Sequence, residues 1–87
     1  MKKYILTDEK KEVFGTTLYR IQAIRSFGDV KEGEKGGWVE KEENLAHDGN
    51  CWVSGNALIF ENARVFGNAS ICENASIFGN ASLFDHS

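Results

Sequence analysis

The stretch GNASICENASIFGNASLF, residues 67–84, states one six-residue phrase three times. Carrying the frame backwards gives ENARVF (61–66), GNALIF (55–60), GNCWVS (49–54) and ENLAHD (43–48). Position one is Gly or Glu in all seven units, and position two is always Asn: Asn44, Asn50, Asn56, Asn62, Asn68, Asn74 and Asn80. Position three is mostly Ala, and position five is mostly Ile, Val or Leu. Seven copies in phase do not arise from composition, so the repeat is read before anything else.

A period of six fits no helix. The last four residues of a unit, such as Ala57-Leu58-Ile59-Phe60, fit a short strand with Ala57 and Ile59 on one face. The Gly-Asn or Glu-Asn pair then makes a corner, because Gly and Asn both tolerate left-handed backbone. Three such sides close a triangular coil of eighteen residues, three units long. Residues n and n+18 become vertical neighbours, which predicts inward columns Ile59/Ile77, Val65/Leu83 and Val53/Ile71. The Asn columns Asn50/Asn68, Asn56/Asn74 and Asn44/Asn62/Asn80 are placed for amide ladders.

The pattern Val/Ile-x-Gly-Asn-Ala-x resembles the hexapeptide repeat of left-handed parallel β-helices. Left-handedness is implied by that resemblance alone, since the general crossover rule favours the right hand. The N-terminal TLYRIQAIRSFGDVKEGEKGGWVE is similar in flavour to small hexapeptide-repeat proteins of phages and prophages. The expected fold is all-β: an N-terminal β-hairpin cap over residues 1–36, then a short left-handed parallel β-helix over 37–87. That is about two and a half coils, in one compact domain.

Lys3–Leu6 and Thr16–Ile24 read as the hairpin strands, with Asp8-Glu9-Lys10-Lys11 as the charged turn between them. Trp38-Val39 begins to fall into the repeat phase, and Trp38 is expected to pack under the hairpin. On the outer faces the repeat places Leu58, Phe60 and Phe78 on one side, Phe66 and Phe84 on the next, and Trp52 on the third. An exposed Phe forgoes roughly 1.5–3 kcal/mol of burial. Either the N-terminal segment covers these rings or they form a binding surface. The C-terminal coil, ending Leu83-Phe84-Asp85-His86, has no cap and would expose strand edges. Either the chain is cut from a longer helix or another copy closes it, and a homodimer closed through that end is the preferred expectation.

The charge balance of ten basic and thirteen acidic residues, net −3, argues against a nucleic-acid surface. No apolar run is long enough for a bilayer span, and the start is not a signal peptide, so the cytoplasm is the expected compartment. Of the two cysteines, Cys51 faces in and Cys72 out on neighbouring coils, too badly placed for the roughly 6 Å bridge spacing. The two histidines, His47 and His86, are too few for a three-histidine zinc site. His47 falls at an inward aliphatic position above Val65 and Leu83, where a capping role outweighs catalysis. His86 falls at a corner.

The resemblance implies two classes of function. One is a non-catalytic protein-binding module of phage or prophage type, directed at a host complex, with anti-CRISPR inhibition as its most specific form. The other is a truncated or degenerate hexapeptide acyltransferase. A structural component that stacks end to end is a third possibility. The first leads here: catalytic residues none, metal none, cofactor none, and binding through the outer aromatic faces.

Overall fold

The computed structural model describes residues 2–85. In chain order the elements are β1 (Tyr4–Val13), β2 (Thr16–Ala23), β3 (Lys35–Val39), a 3-10 turn (Glu42–Asn44), β4 (Trp52–Val53), β5 (Leu58–Ile59), β6 (Arg64–Gly67), β7 (Ser70–Ile71), β8 (Ser76–Ile77) and β9 (Ser82–Asp85). The fold is all-β. No helix among the described residues is long and apolar enough to cross a membrane.

The repeat stacks as a parallel coil with three sides. β4 pairs with β7, β5 with β8 and β6 with β9, in the registers Trp52↔Ser70, Leu58↔Ser76 and Arg64↔Ser82. Each partner lies eighteen residues on. The N–H groups of Trp52, Leu58 and Arg64 donate to the carbonyls of Ala69, Ala75 and Ala81 at 3.1, 2.9 and 3.0 Å. Inside the shaft, Val53 and Ile59 are fully buried and Val65 nearly so, while Ile71, Ile77 and Leu83 below them are half-buried. The core therefore sits in the upper coils and thins towards the lower end.

The corner strain is carried by position one rather than by Asn. Gly49, Gly55, Gly67 and Gly79 take φ of 76, 65, 69 and 71°, and Glu61 and Glu73 take 59 and 62°. A non-glycine residue there costs on the order of 1–2 kcal/mol. Glu61 recovers part of this, since its Oε1 accepts the Gly79 N–H at 2.8 Å and its own N–H reaches Glu40 Oε1 at 2.6 Å.

The topmost coil slips out of the repeat frame. Trp38 pairs with Leu58, Val39 with Ile59, and Leu45 bridges Val65, all twenty residues apart. The unit Glu43–Asp48 is therefore not in phase, and His47-Asp48 are two extra residues before Gly49. Leu45, fully buried, takes the inward place above Val65 that the frame assigns to His47. Asn44 does not stand in a ladder over Asn62. Its Oδ1 accepts from Glu40 N and Lys41 N at 3.1 and 2.9 Å, and its Nδ2 donates to Glu61 O and Ala63 O at 3.2 and 2.8 Å. With no coil above to supply partners, this buried amide pins the 3-10 turn to the coil below.

The hairpin extends one side of the coil upwards as a mixed sheet in the order β1-β2-β3-β5-β8. Asp8–Lys11 lies inside β1, not in a turn; the chain reverses at Phe14-Gly15, both at positive φ, 51 and 79°. Such a two-residue reversal matches the strand twist, and an edge strand tolerates charge. The charged run coincides with a bulge between Leu6 and Lys10, where Thr7 Oγ1 accepts from Glu9 N and donates to Arg20 O. β3 crosses the expected boundary at residue 36 and pairs with both the hairpin and the coil. Its Gly36 and Gly37 press on the shaft: a Cβ at Gly36 would lie 2.4 Å from Val53 O, and one at Gly37 2.6 Å from Val53 Cγ1. Tyr4, Ile21 and Ala23 join Val39, Leu45, Val53 and Ile59 in one core.

Candidate functional site

The upper end of the shaft holds a buried polar knot. Gly49 and Cys51 carry carbonyls for which the slipped coil supplies no strand. The Lys3 ammonium takes their place, donating to Cys51 O at 2.7 Å and Gly49 O at 3.2 Å, with Cys51 Sγ at 3.4 Å and the Phe27 ring centroid at 4.5 Å. Lys3 is fully buried, and that burial holds its pKa below the usual lysine value against the opposing pull of Cys51. Tyr4 donates to Leu45 O and Glu42 O at 2.5 and 2.9 Å; burial, helped by Glu42, pushes its hydroxyl well above the usual tyrosine value. The Lys2 ammonium, 3.0 Å away, holds the Glu42 carboxyl below the usual range.

His47 closes this knot from outside. Its ring stacks on Tyr4 at 4.2 Å. Nδ1 accepts the Lys3 N–H at 3.1 Å, so the proton belongs on Nε2, which faces Glu42 Oε2 at 3.4 Å. The basic nitrogen is thus occupied by backbone. His47 is a cap in this arrangement, and it reaches that role from a different place than the inward column of the repeat frame.

Outside β6 lies a groove of about 450 Å³ lined by Lys41, Glu43, Asn62, Arg64, Asn80 and Ser82. Asn62 Nδ2 donates to Asn80 Oδ1 at 3.3 Å and forms its corner edge. Glu43 and Arg64 also line an adjoining hollow of about 390 Å³ whose other walls are Ala46, Val65 and Phe66. The wall is polar and cationic on one side of Arg64 and apolar on the other. Neither Lys41 nor Arg64 has an ion-pair partner among the described residues. The sequence reading missed all three charged residues. One signal was available: Arg64 is the single charged residue at position four of any unit.

The residues expected on outer faces separate into covered and open sets. Trp52 is 5% exposed, wedged edge-on against Tyr4 and Phe27 at 6.4 and 5.3 Å. Phe60 is 4% exposed in a second cluster with Leu18 and Trp38, against which Val13 and Leu58 pack. The hairpin covers Phe60 because β1 and β2 bring Val13 and Leu18 over the outside of its sheet, whereas Trp52 is covered by Tyr4 of β1 and by Phe27. Phe78 stacks beneath Phe60 at 5.3 Å and is 55% exposed; Phe66 and Phe84 stack at 4.9 Å and are partly exposed. Leu83 half-closes the lower end, and Asp85 continues β9 in register with Gly67. His86 lies outside the described residues. Cys51 is a buried free thiol and Cys72 an exposed one. Among the described residues no three His, Cys, Asp or Glu side chains gather as for a metal ion.

Parallel coils of eighteen residues with an outer groove define a β-coil repeat protein with a ligand-sized wall. The chain is similar to the uncharacterized acetyltransferase YdcK of Escherichia coli strain K12, 41% identical over 69 residues. The match takes in 69% of this chain and 21% of that protein, so the chain spans about a fifth of its relative's length. No known family profile matches the chain.

Proposed function

We propose that the chain is a cytoplasmic left-handed β-helix module of the hexapeptide-repeat acyltransferase type, with the groove outside β6 as its ligand wall. The similarity to an acetyltransferase carries this reading. The groove's chemistry agrees with it: an acyl donor on a phosphorylated thiol joins an anionic head to an apolar tail. Lys41 and Arg64 suit the head, and Ala46 and Phe66 suit the tail. Glu43 is positioned to accept a hydrogen bond from an amine or hydroxyl acceptor. His47 plays no part as a base.

Thermal shift with acetyl-coenzyme A, coupled to thiol release with amine and sugar acceptors, tests this. Ligand at a hundred times Kd stabilises by about 2.7 kcal/mol. The double variant Lys41→Ala/Arg64→Ala should lose most of that shift while keeping its own melting temperature. No shift for the wild type, or an equal one for the double variant, refutes the groove.

One observation favours a second reading, a non-catalytic protein-binding module. Phe78 remains more than half exposed although it stacks on a buried ring, and large exposed aromatics anchor interfaces. Capture of a host complex by the wild type but not by Phe78→Glu, with no response to acetyl-coenzyme A, decides for it.

A further inference from the structure

We propose that Lys3 and Cys51 are the site of an oxidative cross-link, a sulfur–oxygen–nitrogen bridge that fastens the hairpin to the coil. Both residues are fully buried, and their reactive atoms, Nζ and Sγ, lie 3.4 Å apart. Cys51 stands at position three of its unit, where each of the five units that follow carries Ala. A methyl group fills that inward place in those units, so packing alone does not call for a sulfur. Lys3 is the one fully buried charged side chain among the described residues. A buried ammonium is costly, and a buried thiol is the least hindered partner it could meet for covalent chemistry.

The surroundings hold the two atoms in place. Lys3 Nζ is fixed by Cys51 O at 2.7 Å and Gly49 O at 3.2 Å, under the Phe27 ring. The other polar neighbours of the sulfur are carbonyl oxygens, those of Ala46, Val65 and Asp48 at 3.5, 3.7 and 3.8 Å. A carbonyl oxygen does not capture an oxidised sulfur, so the amine is the nucleophile at hand. The gap is too long for a direct sulfur–nitrogen bond and leaves space for one bridging atom. Burial already holds the Lys3 pKa below the usual lysine value, which favours the free amine that capture needs.

The oxidant is a peroxide, which reaches the pair through local opening of the upper end of the shaft. One peroxide oxidises the Cys51 thiol to the sulfenic acid and leaves as one water. A second peroxide then drives formation of the oxygen–nitrogen bond. The sulfenic O–H and one amine N–H break, the peroxide O–O bond takes up the two electrons and two protons, and two waters leave. The product keeps one N–H for the Cys51 and Gly49 carbonyls and carries no charge at ordinary pH. Two equivalents of a dithiol, each giving two electrons and two protons, return the thiol, the amine and one water. The bridge closes a span of 48 residues and ties the start of β1 to the corner before β4.

This cross-link does not rest on the acyltransferase reading. Cys72→Ser removes the exposed thiol and gives the background for the test. After hydrogen peroxide and a catalase quench, the intact mass of the 9.7 kDa chain should rise by about 14 Da, one oxygen gained and two hydrogens lost. Peptide mapping should place that change on a linked Lys3–Cys51 pair and separate it from sulfoxide on the single Met. Dithiothreitol should remove it. The bridged form should melt higher by roughly 10 °C or more, since the link restrains the unfolded chain. Lys3→Arg keeps a cation beside the sulfur but lacks the amine, so it should show only successive additions of about 16 Da at Cys51. The Lys3-containing protein is read directly, so its result stands whether or not the variant folds. Oxygen additions at Cys51 without the link, an unchanged mass, the link formed in Lys3→Arg, or a bridged form with an unchanged melting temperature each overturns the proposal.

Discussion

Replacing Lys3 by Met tests whether an ammonium really serves as the missing strand at the top of the shaft. The substitution keeps the length of the side chain and its packing on Phe27 but removes the donors to Cys51 O and Gly49 O. Hydrogen bonds to a charged group contribute about 1.5–3 kcal/mol each, and the orphaned carbonyls stay buried. The variant recovers the desolvation cost of a buried ammonium, which is several kcal/mol. The net expected loss is about 2 kcal/mol, or roughly 8–16 °C in Tm for a domain of this size. The pH dependence is more specific. Lys3 has a folded pKa below its ordinary 10.5. Between the folded value and 10.5 the unfolded chain holds more protons, so this group makes stability rise with pH there. Tyr4 acts oppositely: its folded pKa is raised, so above its ordinary 10.0 it makes stability fall. Both proteins contain Tyr4, so the difference between them isolates Lys3. Urea denaturation of the pair at neutral and alkaline pH should show the gap widening with pH. A Lys3→Met protein as stable as the wild type, or a gap that is flat in pH, refutes the reasoning.

Two further outcomes follow from close contacts and corners. Gly37→Ala places a methyl 2.6 Å from Val53 Cγ1 and 2.8 Å from Ala57 O, and should cost about 1–3 kcal/mol in denaturant titration. Glu73→Gly relieves a positive-φ corner and should stabilise by about 0.5–1 kcal/mol, whereas Glu61→Gly should be neutral or worse, because it also deletes the bond to Gly79 N. Equal effects of the two in paired thermal melts would show that the Glu61 bond contributes nothing.

Much of the coil is legible in the six-residue phrase because its signal is local and repeated. Asn at position two and an aliphatic at position five, in step from Gly49 to Phe84, leave few alternatives to an eighteen-residue parallel stack. The unit Glu43–Asp48 shows where that logic stops. Asn44 matches the frame by type, yet its amide serves the turn above and the carbonyls below, and the chain gains two residues before the next corner. A single letter cannot say whether an Asn faces water or the core.

The sequence alone determined an all-β chain, its inward columns and the opposite facing of Cys51 and Cys72. Those follow from alternation along a strand and from a period that only stacking satisfies. Only the tertiary structure decided that Trp52 and Phe60 are covered while Phe78 is not, that Lys3 caps the shaft, and that Lys41, Glu43 and Arg64 share a groove. Each of those depends on residues far apart in the chain meeting across a surface, and the period of the repeat carries no information about what the hairpin folds over.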